Sequence, residues 1–397
     1  MNGPRRVLMV AGEPSGDRMA AGIARVLSRQ GTTCFGMGGD ACARAGVGLV
    51  AGARGSAVMG ITEVVRRLPA ALGAYARLVA FARRERPRAA VLVDYSEFNE
   101  RLGRQLRRLG IPVLRCVAPQ VWAWRPKRLH DVHGFDRLAA ILPFEEPLWR
   151  DAGVDAHYVG HPALDTDPRG RTEARSQLGL DSNGIAVALL PGSRTHEVRR
   201  LAPAMLAALT HVERAGRRVE ARLFVATSLD DATRLWLTAL AEASAVRCVE
   251  VSPDRGAGEW LSGFDASLAA SGTATLESAL AGAPPIIVYR VSAVTAAVAR
   301  RLLRVRSIGL PNVLLGRPAY PELLQDDVTP NKIARALEGV LDRRSVFESF
   351  AGSLRRQLAP PSNLGTSSER IAALAHDWLG FEPAQTRHAS PSTVHSA

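Results

Sequence analysis

The segment LLPGSRTHEV, residues 189–198, joins an apolar run, a glycine turn and the start of a helix-like stretch. A strand that ends at Gly192 and Ser193 presents backbone N–H groups at a helix N-terminus, where a phosphate can bind. Arg194 adds a planar guanidinium fork that suits a pyrophosphate. A second strand-to-helix turn, AASGTATLE at residues 269–277, lies downstream. The two turns, with Glu277 soon after the second one, predict one binding site for a nucleotide diphosphate.

Apolar runs alternate with amphipathic stretches along the chain, which predicts parallel βαβ units. In the first half we predict strands at 7–11, 89–94, 112–117, 138–142 and 157–160, with helices at 18–29, 68–84, 99–108 and 145–152. In the second half we predict strands at 185–190, 222–226, 247–251, 266–270 and 285–289. We therefore expect an α/β fold of two Rossmann-like parallel-sheet domains, with the ligand at the carboxyl ends of both sheets.

Length and local composition predict the domain boundaries. A chain of 397 residues is too long for one ordinary core. Residues 163–184 are polar and interrupted by Pro and Gly, so we place the interdomain linker there. We predict domains at 1–165 and 166–345, C-terminal helices at 346–381 that pack back toward the first domain, and a disordered Ser/Pro/Ala-rich tail at 382–397.

Composition excludes several classes of protein. No run reaches the roughly 18–20 apolar residues of a membrane span, and no signal peptide is recognisable, which predicts a cytoplasmic protein. The four cysteines are scattered, so we expect neither a disulfide framework nor a metal site, and no cofactor. The net charge of +13 suits nucleic acid, anionic lipid or phosphorylated substrates. Because no nucleic-acid-binding motif accompanies it, we expect no nucleic-acid partner.

Asp94 follows the strongest apolar run of the first half, at the strand end where α/β enzymes place catalytic groups. A carboxylate there can act as a general base. The alternative role is a helix N-cap, which Ser96 or Asn99 would fill better.

The segment AGEPSGD, residues 11–17, is another strand-to-helix turn, in which Ser15 or Asp17 can cap the helix. Its glycine spacing is not that of G-x-G-x-x-G, so it gives weak support to a nicotinamide site. A tight turn required for packing is an equal alternative.

Other candidates are polar or aromatic residues near predicted strand ends. Trp122 and Trp124 stand beside Arg125 in PQVWAWRPKRLHDVH, residues 119–133, an arrangement that can bind a phosphosugar or anchor a loop. His161 ends a strand and would face the crevice, although a lone histidine is more often structural. Asn312 and Gln325 lie in PNVLLGR (311–317) and PELLQ (321–325), which we interpret as loop and helix-start sequences.

Residues 59–88 carry apolar side chains at helical spacing, bordered by arginines at 66, 67, 77, 83, 84 and 86. Such a helix can lie among lipid headgroups, where anionic lipid contributes about 1 kcal/mol for each nearby arginine. The alternative is a crossover helix packed on its sheet, and composition alone leaves both open.

Nine segments together are similar, in order and spacing, to those of the lipid-A-disaccharide synthases. They are AGEPSGD, MGITEV (59–64), DYSEFN (94–99), PQVWAWRPKR, LPFE (142–145), VGHPALD, LLPGSRTHEV, SGTATLE and PNVLLGR. The resemblance, which runs from about residue 7 to about residue 375, implies a GT-B glycosyltransferase. It implies that UDP-2,3-diacylglucosamine is joined to 2,3-diacylglucosamine 1-phosphate by a β-1,6 link, with inversion, without a metal and with release of UDP. The family is peripheral to the cytoplasmic face of the inner membrane, which favours an anionic lipid surface as the partner of residues 59–88.

The resemblance also implies roles for individual residues. Asp94 matches the essential aspartate of the family and Arg194 its essential arginine. The nucleotide-sugar site is matched by Gly192, Ser193, Arg194, Ser271, Gly272, Thr273, Glu277 and Asn312. Candidates for further contacts with donor or acceptor are Ser15, Glu97, Asn99, Trp122, Arg125, His161 and Gln325.

Other functions remain open at this point. The same UDP site could serve another GT-B transferase or a UDP-sugar epimerase that acts on a soluble substrate. The basic amphipathic helix argues against both of these functions. The UDP site could also belong to a non-catalytic UDP-sugar-binding protein, against which Asp94 and the intact LPGSR segment argue.

Overall fold

The computed structural model describes residues 5–52, 61–124, 129, 134–166, 168–292, 295–296, 307–360 and 365–381. For 61–68 and Trp124 it describes the backbone alone. The described residues form two parallel sheets, of seven and six strands, each with helices on its faces. The predicted fold of two Rossmann-like domains is therefore confirmed.

The first sheet has the strand order β3-β2-β1-β4-β5-β6-β7, and every pairing is parallel. Its strands are β1 (Arg6–Ala11), β2 (Thr33–Gly38), β3 (Gly48–Gly52), β4 (Ala89–Val93), β5 (Val113–Cys116), β6 (Arg137–Ala140) and β7 (Asp155–Tyr158). The helices of this half are α1 (Pro14–Arg29), α2 (Asp40–Arg44), α3 (Ile61–Glu85), α4 (Ser96–Arg108), α5 (Val121–Trp124) and α6 (Glu145–Asp151).

The second sheet has the order β10-β9-β8-β11-β12-β13, again with parallel pairings. Its strands are β8 (Ala186–Leu190), β9 (Glu220–Val225), β10 (Arg247–Glu250), β11 (Ala266–Ala270), β12 (Pro285–Tyr289) and β13 (Glu322–Leu324). Its helices are α7 (Arg171–Leu178), α8 (Thr195–Arg214), α9 (Asp231–Ala243), α10 (Thr273–Leu280), α11 (Leu310–Leu315) and α12 (Pro330–Leu341). The last helices of the described residues are α13 (Arg344–Gln357), α14 (Ser367–Ala373) and α15 (His376–Leu379).

The central strands are buried along their whole length, as parallel strands covered on both faces must be. Every residue of β4, β8 and β11 is buried. Helices α13 and α14 pack on different cores: Phe347 and Leu354 join the core of the second sheet, whereas Ile371 and Ala372 join that of the first. The last helices thus cross back to the first sheet.

Each sheet has a point at which the strand order reverses, and such points form ligand-binding crevices. In the first sheet, β1 has β2 on one side and β4 on the other. In the second sheet, β8 lies between β9 and β11. The turns after β1, β4, β8 and β11 contain AGEPSGD, DYSEFN, LPGSR and SGTATLE, so the topology places four motifs at two crevices.

One local prediction was wrong. The segment PELLQ forms edge strand β13, which pairs with β12, and then a single 3-10 turn instead of a helix start. The predicted linker, residues 163–184, includes α7, whose buried Arg175 donates a hydrogen bond to Asp265 at 2.7 Å. That buried ion pair gives a polar segment a fixed place on the second sheet.

Candidate active site

A cleft of about 2140 Å³ lies between the two sheets and is lined by residues of both. The first domain contributes Asp94 and Glu13, which follow β4 and β1. The second domain contributes Arg194 and Glu277, beside the turns that follow β8 and β11. The structure therefore brings the predicted base and the predicted phosphate-binding turns into one site.

Asp94 stands in a sharp turn with its backbone in the left-handed region, at φ 49°, and Tyr95 follows at φ 53°. The buried amide of Asn99 fixes this turn by donating hydrogen bonds to the carbonyl oxygens of Val93 and Asp94, at 3.2 and 2.6 Å. The Tyr95 ring covers Gly12, where a Cβ would lie 2.4 Å from the ring. Asn99 thus shapes the turn without lining the cleft.

Buried Arg115 of β5 supports the turn from below. Its guanidinium donates to the backbone oxygen and the hydroxyl of Ser96, at 3.4 and 3.3 Å, which holds the start of α4. Burial lowers the pKa of Arg115, and the charge of Asp94 opposes that effect. The carboxylate of Asp94 therefore has a cation in its electrostatic surroundings.

Arg194 is the N-cap residue of α8 and crosses the cleft to Glu13 of the first domain. Its Nη1 also donates to Glu197 at 2.8 Å. Burial tends to lower the pKa of Arg194, but the carboxylates of Glu197 and Glu13 raise it overall. Burial raises the pKa of Glu13, with a contribution from Asp94, although Arg194 acts in the opposite direction.

The glycine of LPGSR is required by the geometry. Gly192 has φ 117°, and a Cβ there would lie 2.7 Å from Oε2 of Glu197. The absence of a side chain therefore lets Glu197 approach the turn and hold Arg194. The buried Nε of Arg194 has no hydrogen-bond acceptor among the described residues.

The second turn supplies Ser271, Gly272 and Thr273, all at the cleft, and α10 begins at Thr273. Glu277 lies one turn into that helix with its side chain 10% exposed. Arg18 of α1 reaches across from the first domain and lies 3.4 Å from Oε1 of Glu277. A helix N-terminus with a carboxylate nearby suits a nucleotide, because the helix N-terminus can bind the phosphate and the carboxylate can bind the sugar hydroxyls.

The remaining wall of the cleft includes Trp122, Glu145 and His161. Trp122 donates its indole N–H to Glu145 at 3.1 Å. Burial raises the pKa of Glu145 to about 8, although the bond from Trp122 works against this. Burial lowers the pKa of His161 to about 4, and its Nδ1 accepts from the N–H of Ala163 at 3.0 Å. His161 is therefore a neutral imidazole that carries its proton on Nε2.

Other candidates have different places in the structure. Ser15 and Glu97 line the cleft, whereas Asn312 and Gln325 are not part of its lining. The Asn312 amide bonds to the backbone of Ala319 and Tyr320. Gln325 accepts from the backbone N–H of Val291 at 2.8 Å and so joins the loops after β12 and β13. Arg125 lies outside the described residues.

Asp17 does not cap α1 but bonds to the next helix. Its carboxylate accepts hydrogen bonds from the backbone N–H groups of Gly39, Ala41 and Cys42 and so anchors the start of α2. The sequence motifs did not predict roles for Glu13, Arg18 and Arg115. The adjacency of Glu13 to a strand end was a usable signal, but the partners of Arg18 and Arg115 are far away in sequence.

In the parts of the chain that the structure describes, no group of His, Cys, Asp and Glu has an arrangement that could hold a metal ion. Within the same residues, no helix has the length and apolar character needed to cross a membrane.

Sequence comparisons agree with the motifs. Residues 7–352 match the family model described as lipid-A-disaccharide synthetase. The lipid-A-disaccharide synthase of Syntrophus aciditrophicus is 40% identical over 378 residues, which cover 93% of this chain and 96% of that protein. The enzyme of the same name from Myxococcus xanthus is 43% identical over 347 residues, which cover 86% and 89%.

Solved structures share the architecture at low identity. Acinetobacter baumannii MurG has a TM-score of 0.55 and 18% identity, covering 94% of this chain and 100% of that one. The S. aureus MnaA–UDP co-structure has a TM-score of 0.64 and 10% identity, covering 95% and 98%. The two facing Rossmann-like domains thus have the GT-B arrangement that the family resemblance implied.

Proposed function

Because the chain belongs to the lipid-A-disaccharide synthase family, we propose that its second domain binds the UDP-sugar and its first domain presents the acceptor to Asp94. The protein is a glycosyltransferase of lipid A biosynthesis. It joins UDP-2,3-diacylglucosamine to 2,3-diacylglucosamine 1-phosphate through a β-1,6 link and releases UDP. One observation carries the assignment of roles: the carboxylate after β4 shares a cleft with both phosphate-binding turns.

The reaction that this placement supports is a direct displacement with inversion. Asp94 accepts the proton of the acceptor 6-hydroxyl while that oxygen forms a bond to the anomeric carbon. The bond between the anomeric carbon and the diphosphate oxygen breaks, and the electron pair leaves with UDP. Since attack and departure take place on opposite faces of the sugar, the configuration of the anomeric carbon inverts.

Charge stabilisation belongs to the second domain in this scheme. Departure of UDP leaves an oxocarbenium-like centre and adds charge to the diphosphate, so a fixed cation lowers the energy of the transition state more than that of the ground state. We assign this stabilisation to Arg194, together with the amides of Gly192 and Ser193. Its two carboxylate partners, Glu13 and Glu197, keep it ordered before the donor arrives.

In the same scheme, the turn after β11 binds the nucleoside part of the donor. Ser271, Gly272 and Thr273 provide amides and hydroxyls at the N-terminus of α10, and Glu277 is within reach of sugar hydroxyls. Arg18 holds Glu277 from the opposite domain. Trp122 and His161 lie on the same cleft wall and are available to the sugar rings.

A direct assay tests the proposed chemistry. The purified protein is incubated with both acylated sugars, and UDP release, the disaccharide monophosphate and the anomeric configuration of its new link are measured. The proposal requires a β link from an α-linked donor. A product with retained configuration, or UDP release without disaccharide, would contradict it.

We extend the proposal to attachment of the first domain to anionic lipid near α3. Part of the apolar face of α3 is not available to lipid, because Leu78, Phe81 and Ala82 are buried in the core of the first sheet, as in a crossover helix. What supports attachment is Leu72, 56% exposed, together with exposed arginines at 77, 83, 84 and 86. The acyl chains of both substrates also place the reaction at a bilayer.

Vesicle co-sedimentation at low and high salt tests this attachment. We expect binding to anionic vesicles that salt weakens, because charge attraction is screened over about 8–10 Å at moderate salt. Replacing Arg77, Arg83 and Arg84 by Ser should reduce binding. The matched control replaces three exposed arginines of the second domain, Arg214, Arg218 and Arg335, by Ser. Equal binding of the two triple variants would contradict attachment through α3.

A further inference from the structure

The cleft continues beyond Asp94 into a groove between α3 and α4. Its floor contains Tyr75 and Phe98, whose rings meet edge to face at 6.1 Å between centroids. One wall is the middle of α3, where Ala70 and Leu72 are exposed. The other wall is one face of α4. This groove, which we call the α3–α4 groove, opens from the proposed site of proton transfer toward the surface.

The α4 wall is strongly basic. Residues 101, 104, 105 and 108 follow the i, i+3, i+4, i+7 spacing of a single helical face, and all four line the cleft. Three of them are arginines: Arg101, Arg104 and Arg108. Arg104 pairs with Glu100 of its own helix at 2.9 Å. Arg101 and Arg108 are exposed and have no ion pair with any described residue.

Two unpaired guanidinium groups on one groove wall predict an anionic ligand. An arginine fork is complementary to the oxygens of a phosphate monoester, which carries up to two negative charges. The opposite wall is apolar, so the same groove can accommodate a molecule with one charged group and hydrocarbon chains. The acceptor of the proposed reaction has this combination, with its phosphate on C1 and acyl chains on C2 and C3.

We propose that Arg101 and Arg108 form the subsite for the 1-phosphate of the acceptor, and that this subsite orients the 6-hydroxyl toward Asp94. The inference rests on the proposed function, because it takes the acceptor from that reaction. Arg108 lies two turns beyond Arg101 on the same face of α4, so the geometry makes Arg101 the nearer contact: α4 begins two residues after Asp94, and Arg101 lies five residues into the helix. At 1.5 Å per residue that is about 7.5 Å along the axis, which is comparable to the length of one sugar ring with its substituents.

The test crosses two protein variants with two acceptors. The Arg101→Ser/Arg108→Ser double variant is compared with wild type on 2,3-diacylglucosamine 1-phosphate and on the same lipid without phosphate, both in neutral detergent micelles. Loss of hydrogen bonds to a charged group should raise KM and Kd for the phosphorylated acceptor about 10- to 100-fold. The unphosphorylated acceptor should bind both proteins equally weakly, and KM for the UDP-sugar should be unchanged.

Arg107→Ser is the matched control. Arg107 is on the same helix but is not part of the groove lining, and it pairs with Asp136 at 2.8 Å. We expect wild-type acceptor affinity for this variant. An Arg101→Ser/Arg108→Ser protein that bound the phosphorylated acceptor normally, or that lost affinity for both acceptors equally, would overturn the inference.

Two further outcomes distinguish a phosphate subsite from a membrane contact and from failure of the proposed reaction. Acceptor binding is measured without turnover, so a phosphate-dependent loss of affinity in a protein that makes no disaccharide would contradict the proposed reaction and leave the subsite standing. If the double variant lost binding to phosphatidylglycerol vesicles while its Kd for the acceptor stayed normal, the arginines would bind membrane headgroups, and the subsite would be disproved.

Discussion

Replacing Asp94 by Asn is the sharpest test of the proposed chemistry, because it removes a charge and a proton acceptor without changing shape. Asp94 has φ 49°, a conformation that few residues adopt easily but that Asn adopts about as readily as Asp. The turn should therefore survive in Asp94→Asn, whereas Asp94→Ala would strain it. The hydrogen bond from Asn99 to the backbone oxygen of residue 94 does not involve the side chain and should also persist.

The expected loss follows from the role assigned to the carboxylate. General-base catalysis contributes roughly 10²- to 10⁴-fold, so kcat should fall by that factor, which corresponds to about 3–5 kcal/mol of transition-state stabilisation. Donor affinity should be nearly unchanged, because the phosphate-binding turns belong to the other sheet. The effects on stability oppose each other, since removing the charge of Asp94 relieves its repulsion with Glu13 and also removes its attraction to buried Arg115.

The assay is disaccharide formation at saturating concentrations of both substrates, with UDP affinity measured by calorimetry on the same protein. Asp151→Asn is the control, since Asp151 is an exposed carboxylate of α6 outside the cleft lining. Turnover of Asp94→Asn within tenfold of wild type would refute the assignment. A parallel loss of UDP affinity would refute the separation of roles between the two domains.

Three further predictions concern other buried ionisable side chains. Arg194→Ala should lower kcat by about 10²- to 10³-fold and weaken UDP binding, as steady-state kinetics would show. Arg194→Lys should restore little activity, because lysine lacks the guanidinium fork. Wild-type kcat and UDP affinity in Arg194→Ala would contradict this prediction. Asp265→Ala should cost about 3–5 kcal/mol in urea unfolding, because buried Arg175 loses its partner; a cost below about 1 kcal/mol would contradict it. Burial raises the pKa of Glu145 from 4.5 to about 8. Protonated Glu145 therefore contributes a free energy of folding that is complete below pH 4.5 and is lost as the pH rises through 8. Glu145→Gln should flatten this pH dependence of the unfolding free energy, and an unaltered slope would contradict the prediction.

The strands that the sequence predicted are those with uninterrupted apolar runs. The ends of β11 and β12 match the prediction, and β1, β4 and β8 differ by one residue. Strands β2, β3 and β13 were missed because glycines interrupt the first two and the third has three residues. These three lie toward the edges of their sheets, where pairing with a formed neighbour, rather than local pattern, defines a strand.

The sequence predicted those residues of the candidate site that lie close to the ends of predicted strands. Asp94 follows its strand directly, and Arg194 and Glu277 lie within seven residues of a strand end. Parallel topology brings such positions to one edge. Asn99, Asn312 and Gln325 have the right chemistry for ligand contacts, but their amides bond to nearby backbone instead. Sequence alone does not separate these uses, because an amide in a turn serves backbone and ligand with the same atoms.

The ion pairs across the cleft are the feature that sequence could least predict, and they bear directly on donor binding. Glu13 and Arg194 are 181 positions apart, and Arg18 and Glu277 are 259 apart. In each pair a group from α1 or the turn before it meets a group of the proposed UDP site. A pyrophosphate at Arg194 would compete with Glu13 for the same N–H groups, since both are anionic acceptors of one guanidinium. Under the proposed role of Arg194, donor binding and the contact between the domains depend on the same side chain, so the energy of one affects the other.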